Sequence, residues 1–227
     1  MRAIILAAGM GTRLRPLTLE TPKALTIVNG KPLLERQIEY LNAKGITDIT
    51  IVTGYLAEKF DYLKNKYGVN LIFNEKYDKY NNIYTMNLVK ELLGDSYVID
   101  ADIYLNRNFF ENKVQKSTYF APYRNSFENE WKLIYDDNNE VHGIEIVEKG
   151  EGHILAGVSY WSKRDSDIIK KELTSIMNSD NFMDYYWDDI VRMNIDKLNV
   201  SIIKLGEEDI FEIDSLEELE QVKKIVE

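Results

Sequence analysis

The chain has 227 residues, 44% of them apolar, and a formal net charge of -10; this is enough for one well-buried core and near the size at which chains begin to divide. It contains no cysteine, which excludes disulfides and thiolate metal sites, and no apolar run approaches the roughly 18 residues of a membrane helix. The negative charge opposes a nucleic-acid backbone, so a bound polyanion must be met by a few focused cations, which suits a small phosphorylated ligand better than DNA or RNA.

The first residues lack the order of a secretory signal, and the cytoplasm is the expected address. Arg2 to Ala7 is almost continuously apolar, as in a strand buried on both faces, and runs into a loop from Gly9 to Pro16. Pro32 opens a predicted helix with Leu33, Leu34, Ile38 and Leu41 at helical spacing, ended by Lys44-Gly45. Asp48 to Thr53 reads as a strand, Ala57 to Tyr67 as a helix, Asn70 to Phe73 as a strand and Ile83 to Leu93 as a helix. Ser96 to Ile99 is a strand that delivers Asp100 and Asp102 to its carboxyl end, where ligands bind in parallel sheets.

Beyond about residue 115 the pattern changes to shorter strands: Thr118 to Pro122, Lys132 to Tyr135, Val141 to Val147 and Ile154 to Trp161. A helix from Lys163 to Met177 follows. Asp184 to Met193 and Ser215 to Val226 read as the last helices, separated by the strand Val200 to Leu205. No linker, repeat or low-complexity segment interrupts the chain, so residues 1–227 are expected to form one domain with a ligand-facing C-terminal half.

The strongest chemical signal is Leu6-Ala7-Ala8-Gly9-Met10-Gly11-Thr12-Arg13-Leu14 with Pro22-Lys23 behind it. Two glycines after a buried strand let backbone N–H groups turn toward a phosphate, and small Ala7 and Ala8 let a flat base lie close. Arg13 offers a fixed fork of donors and Lys23 a mobile point charge. Gly-x-Gly alone also fits an ordinary turn, and the spacing matches neither the dinucleotide fingerprint nor a P-loop. The whole string resembles the signature of the sugar-nucleotide-type nucleotidyltransferase family. That resemblance implies a Rossmann-like three-layer α/β/α fold with a mixed, mostly parallel central sheet. It also implies a loop that cradles a nucleoside triphosphate, with Arg13 and Lys23 acting on its phosphates. Val52-Thr53-Gly54-Tyr55 and Asn81-Asn82-Ile83-Tyr84-Thr85 occupy the places where the family reads the base. The implied nucleotide-binding set is Leu6, Ala7, Ala8, Gly9, Gly11, Thr12, Gly54, Tyr55, Asn82 and Thr85.

Asp102 lies just past a predicted strand and Asp214 just before the last helix. Hard oxygen ligands suit magnesium, which takes one or two protein carboxylates plus phosphate oxygens and water. From the local sequence Asp214 also reads as a helix cap, with Glu217 and Glu218 in the first turn, and Asp100 competes with Asp102 as first ligand. The resemblance implies Asp102 and Asp214 as the Mg²⁺ ligands. A phosphomonoester is largely ionised at neutral pH, since its second pKa is near 6, so no histidine base is required. His142 and His153 are expected to be surface or turn residues.

The C-terminal half is rich in aromatics: Trp131, Tyr160, Trp161, Tyr185, Tyr186 and Trp187, with Asp184, Asp188 and Asp189 interspersed. Aromatic faces beside carboxylates favour a quaternary ammonium, and a helix would present Asp184, Trp187 and Asp188 on one face. Aromatics at such spacing also build cores, and at least one of Tyr160 and Trp161 is expected to do so. Asn129-Glu130-Trp131, Asp184-x-Tyr186-Trp187-Asp188 and Glu212-Ile213-Asp214-Ser215 resemble the bacterial choline-phosphate cytidylyltransferases. Ile103 departs from the pattern, standing where a polar residue is expected beside the substrate.

This resemblance implies that CTP and phosphocholine are joined to CDP-choline with release of pyrophosphate. It implies Trp131, Asp184, Tyr186, Trp187, Asp188 and Glu212 around the acceptor; the negative charge and the lack of a membrane-length apolar run point to neither nucleic acid nor membrane insertion. Phosphoethanolamine or 2-aminoethylphosphonate acceptors, a sugar 1-phosphate, and a non-catalytic binding protein remain the alternatives. The sequence does not settle CTP over UTP, nor the oligomeric state.

Overall fold

The computed structural model describes residues 1–179 and 182–227. In chain order the elements are β1 (Arg2–Ala7), β2 (Ile27–Val28), β3 (Lys31–Pro32), α1 (Leu33–Ala43), β4 (Ile49–Thr53), α2 (Tyr62–Tyr67), β5 (Asn70–Phe73), α3 (Asn82–Val89), β6 (Ser96–Asp100) and β7 (Ile103–Leu105). They continue with β8 (Ser117–Tyr135), β9 (Val141–His153), β10 (Val158–Trp161), α4 (Lys163–Met177), α5 (Trp187–Met193), β11 (Val200–Leu205), β12 (Ile210–Glu212) and α6 (Leu216–Val226).

The central sheet has the order β11-β8-β10-β6-β1-β4-β5, with β9 pairing on β8. β1 runs parallel to β4 and β6, β4 to β5, and β11 to β8, while β10 is antiparallel to both its neighbours. The sheet is therefore mixed and mostly parallel, as expected. Successive residues of β1 enter opposite layers: Ala3, Ile5 and Ala7 join the core under α1 and α2, and Ile4 and Leu6 join the core under α3, α4 and α5. Burial on both faces is why β1 lacks polar alternation. Tyr160 and Trp161 divide in the same way, one into each core, so both are core residues.

The second half departs from the predicted boundaries. Thr118 to Pro122 and Lys132 to Tyr135 are parts of one long strand, β8, whose register shifts between Arg124 and Phe127. Val141 to Val147 extends to His153, and the strand expected from Ile154 begins only at Val158. The two long strands form an antiparallel arm with exposed, polar side chains over much of its length, so apolar patterning underestimates it. Ala57 to Tyr67 divides into a 3₁₀ turn, Ala57–Phe60, and α2. The last helix starts with Ser215, whose side chain accepts from Glu218 N, while the Glu218 carboxylate accepts from the backbone of Asp214 and Ser215. Ser215 is thus the cap, and the Asp214 side chain is free for other partners. A third, smaller core of Leu14, Val28, Leu33, Tyr104, Ile213, Leu219 and Val222 seats α6 beside the first loop.

Candidate active site

A cavity of about 800 Å³ opens at the carboxyl ends of β1 and β6. One wall is the loop after β1. Gly11 sits there in the left-handed region at φ 59, and a Cβ on it would stand 2.9 Å from Lys23 Cβ and 3.1 Å from Thr18 Cγ2. Both conformation and space therefore require glycine, and Thr18 Oγ1 donates to Gly11 O at 2.8 Å to fix the turn. This closeness brings Lys23 back against the loop and points it into the cavity.

Lys23 Nζ donates to Asp102 Oδ2 at 2.6 Å and to Asp214 Oδ1 at 2.5 Å, and Arg13 Nη2 stands 2.8 Å from Asp214 Oδ2. Two carboxylates more than a hundred residues apart meet because β7 and β12 pair antiparallel, with Glu212 opposite Ile103 and Ile213 N donating to Asp102 O. Asp102 precedes one strand and Asp214 follows the other. Gln37 of α1 holds the intervening turn by donating its Nε2 to both Asp100 O and Ile103 O. Ile103 lies in the core and not beside the cavity.

Carboxylate oxygens of Asp102, Glu212 and Asp214 lie within 4.8 Å of one another. Asp102 Oδ1 is buried and has no hydrogen-bond partner among the described residues. An unpartnered hard oxygen beside two further carboxylates is a donor set that fits a divalent cation such as magnesium. Burial acts to lower the Lys23 pKa, but the charges and hydrogen bonds of Asp102 and Asp214 outweigh it and hold the ammonium above its ordinary value. Lys23 is thus a fixed positive charge across the working pH range.

The opposite wall carries Trp131, Tyr186, Asp188, Glu130 and Glu212. The Trp131 and Tyr186 rings stand edge to face, with centroids 6.3 Å apart. Asp188 accepts from Tyr119 OH at 2.7 Å; burial raises its pKa to about 7 against that hydrogen bond. Glu212 is exposed to the cavity, and desolvation by the surrounding walls, with Asp102 and Asp214 nearby, lifts it to about 8. Asp100 is pushed well above the ordinary carboxylate value by burial and then by Asp102 and Asp188. Gly157 makes room for it: a Cβ there would lie 2.8 Å from Asp100 Oδ2. Acidic groups crowded around an aromatic pair give an environment that favours a cation.

The model of the family described as nucleotidyl transferase matches residues 2–149. The chain is 52% identical over 226 residues to choline-phosphate cytidylyltransferase of Streptococcus pneumoniae, spanning 100% of this chain and 98% of that one. The chain belongs to the nucleotidyl transferase family. It is also 33% identical to 2-aminoethylphosphonate cytidylyltransferase of Lancefieldella rimae, over 96% of this chain and 89% of the relative. The solved structure of CTP:phosphocholine cytidylyltransferase from S. pneumoniae superposes with a TM-score of 0.97 at 51% identity, covering 100% of this chain and 99% of that one.

Within this family fold the structure gathers most of the expected residues around one cavity: Leu6, Ala8, Gly9, Gly11, Thr12, Arg13, Lys23, Asn82, Thr85, Asp102, Trp131, Tyr186, Asp188, Glu212 and Asp214 all line it. Ala7, Gly54, Tyr55, Asp184 and Trp187 do not. Ala7 faces the core. Gly54 is a packing glycine, since a Cβ there would meet Tyr77 Cβ at 2.5 Å and Ala8 O at 2.7 Å. Tyr55 N donates to Ala8 O, supporting the loop from behind.

The predicted helix from Asp184 is corrected: α5 begins at Trp187, so Asp184 is not on its face and is exposed. Trp187 is buried against Trp161, centroids 5.6 Å apart, and serves the core. His142 is exposed as expected, but His153 is buried between Tyr123 and Tyr135, bonded to Tyr135 OH through Nδ1.

The sequence reading missed Tyr77, Tyr80, Leu155 and Gly157 on the cavity wall, and Gln37 behind it. The tyrosines follow β5 in a turn that precedes α3, and this aromatic cluster between elements was the available signal.

Proposed function

We propose that this protein transfers the cytidylyl group of CTP to phosphocholine, giving CDP-choline and pyrophosphate. The observation that carries the acceptor is the Trp131 and Tyr186 pair set against Asp188 and Glu212 in the same cavity as Lys23 and Arg13. A quaternary ammonium has no N–H to donate and is held by aromatic faces and nearby negative charge. The likeness to choline-phosphate cytidylyltransferase over the full chain supports the same reading.

In this reading CTP lies along Leu6, Ala8, Gly9, Gly11 and Thr12, with Asn82 and Thr85 on the base side and Ala7, Gly54 and Tyr55 supporting the loop. Arg13 and Lys23, which neutralise the aspartates in the free protein, carry their charge to the triphosphate by exchanging partners. Asp102 and Asp214 would hold a magnesium ion, which supplies further charge neutralisation on the phosphates. An ionised phosphate oxygen of phosphocholine attacks the α-phosphorus. The new P–O bond forms as the bond from the α-phosphorus to the bridging oxygen breaks, and pyrophosphate leaves with the electron pair. Catalysis then rests on in-line positioning and on charge neutralisation between two polyanions. Neither histidine lines the cavity, in keeping with a reaction that needs no general base. A single catalytic domain in the cytoplasm completes the proposal; among the described residues no helix is long and apolar enough to cross a membrane.

The test is pyrophosphate release with CTP and Mg²⁺ over phosphocholine, phosphoethanolamine, 2-aminoethylphosphonate and glucose 1-phosphate. Preference for phosphocholine is expected. Preference for a primary amine would keep the transfer chemistry and overturn the headgroup, and no turnover with any acceptor or triphosphate would overturn the enzyme assignment.

A further inference from the structure

Three consecutive residues at the start of α3 each engage the segment that opens α5. The Tyr80 ring packs on Phe182 with centroids 4.9 Å apart, Asn81 Nδ2 donates to Asp184 O at 3.2 Å, and Asn82 Oδ1 accepts from Trp187 N at 2.9 Å. Asn81 occupies the N-cap position of α3 yet makes no side-chain cap there, although capping its own helix is the usual work of an asparagine at that place. Its amide reaches across to the other half of the chain. The Trp187 N–H is one of the opening donors of α5, which have no partner within their own helix, and Trp187 is buried.

We propose that Asn82 is a positioning residue for the acceptor: by accepting from Trp187 N it fixes the residue between Tyr186 and Asp188, and so sets where both side chains stand opposite Trp131. The backbone turns there from extended at Tyr186, φ -87 and ψ 160, into the helix. A shift of this peptide moves the Tyr186 ring off Trp131 and pulls Asp188 from its bond with Tyr119. Asn82 also lines the cavity on the nucleotide side, so the two walls share one piece of structure. The proposal rests on the acceptor assignment made above for Trp131, Tyr186 and Asp188.

Steady-state kinetics of Asn82→Ala and Asn82→Asp test it, using CTP and whichever acceptor the wild type turns over best. Alanine removes the accepting oxygen and aspartate keeps one. Asn82→Ala is expected to raise the acceptor KM about tenfold, the scale of a lost hydrogen bond to a buried donor, and, because Asn82 also stands on the base side of the cavity, to raise the CTP KM as well. Asn82→Asp is expected to restore the acceptor KM. An unchanged acceptor KM in Asn82→Ala, or an acceptor KM that aspartate does not restore, overturns the proposal. Asn81→Ala removes only an exposed bond and leaves the fold intact; it is expected to raise the same constant about two- to threefold, and unaltered kinetics there would count against the shared wall. A wild type that prefers glucose 1-phosphate would instead overturn the function, while the effect of Asn82 on that acceptor would still decide this proposal.

Discussion

The two walls of the cavity are built differently. The nucleotide wall hangs from β1, β4 and β6, parallel strands buried on both faces, through a loop whose glycine, threonine and lysine touch one another. The acceptor wall hangs from the β8 and β9 arm, the irregular residues 154–157 and the segment before α5. It includes a register shift in β8, Asn129 at φ 56 and Gly157 at φ 64, conformations that side chains adopt rarely and that cluster at functional sites. In the proposed function, charge handling thus stands on regular parallel strands, and ligand selection on a wall with a register shift and unusual backbone.

Breaking the nucleotide wall should cost most. Asp214→Ala and Lys23→Ala are each expected to lower kcat by about a thousandfold, the scale of removing a preorganised charge from a phosphoryl-transfer site, with an unchanged circular dichroism spectrum. Near-normal turnover in either variant would remove that residue from the mechanism. Gly54→Ala is a gentler blow to the same wall. Its Cβ must displace Ala8 O and Tyr77, an overpacking cost of about 1–3 kcal/mol, and the expected result is a CTP KM raised about tenfold with the acceptor KM little changed. Equal rises in both constants would mean that the walls do not separate as described.

The smallest expected effect sharpens the acceptor side. Asp188 at about 7 and Glu212 at about 8 are protonated on the acid side of these values and ionised above them. Affinity for choline, which carries no titrating group, should therefore rise severalfold from pH 6 to pH 8 as the two carboxyls ionise around a fixed cation. Tryptophan fluorescence titration of the metal-free protein would measure it. A flat profile would place the cation away from both groups. The same raised values mean that the folded state binds these protons more tightly than the unfolded chain. Their contribution to stability is then lost as pH rises from the ordinary carboxylate range through about 7 and 8.

The same division governs what the sequence reveals. β1, its glycine loop, Arg13 and Lys23 are legible because a strand buried on both faces and a glycine-rich turn leave local marks. The meeting of Asp102 with Asp214 is not local. It depends on two three-residue strands, β7 and β12, too short for any periodicity, and on Gln37 holding the turn from another element. Trp187 and Asp184 look like pocket residues in a helical register that the chain does not adopt, since the helix starts only at Trp187. The aromatic count of the second half is the same whether a ring lines a cage or fills a core; only the strand faces of β10 and the start of α5 send Trp161 and Trp187 inward and leave Trp131 and Tyr186 at the cavity.

In the proposed function the acceptor is selected by the wall bearing Trp131 and not by the wall bearing the phosphate loop. The ratio of kcat/KM for phosphocholine to that for phosphoethanolamine, measured in wild type and in Trp131→Ala, decides between the two walls. A preference of at least about tenfold is expected in wild type, the scale of a desolvated cation–π contact, with a collapse toward unity in the variant and the CTP KM unchanged. An undiminished preference in Trp131→Ala would remove Trp131 from acceptor selection.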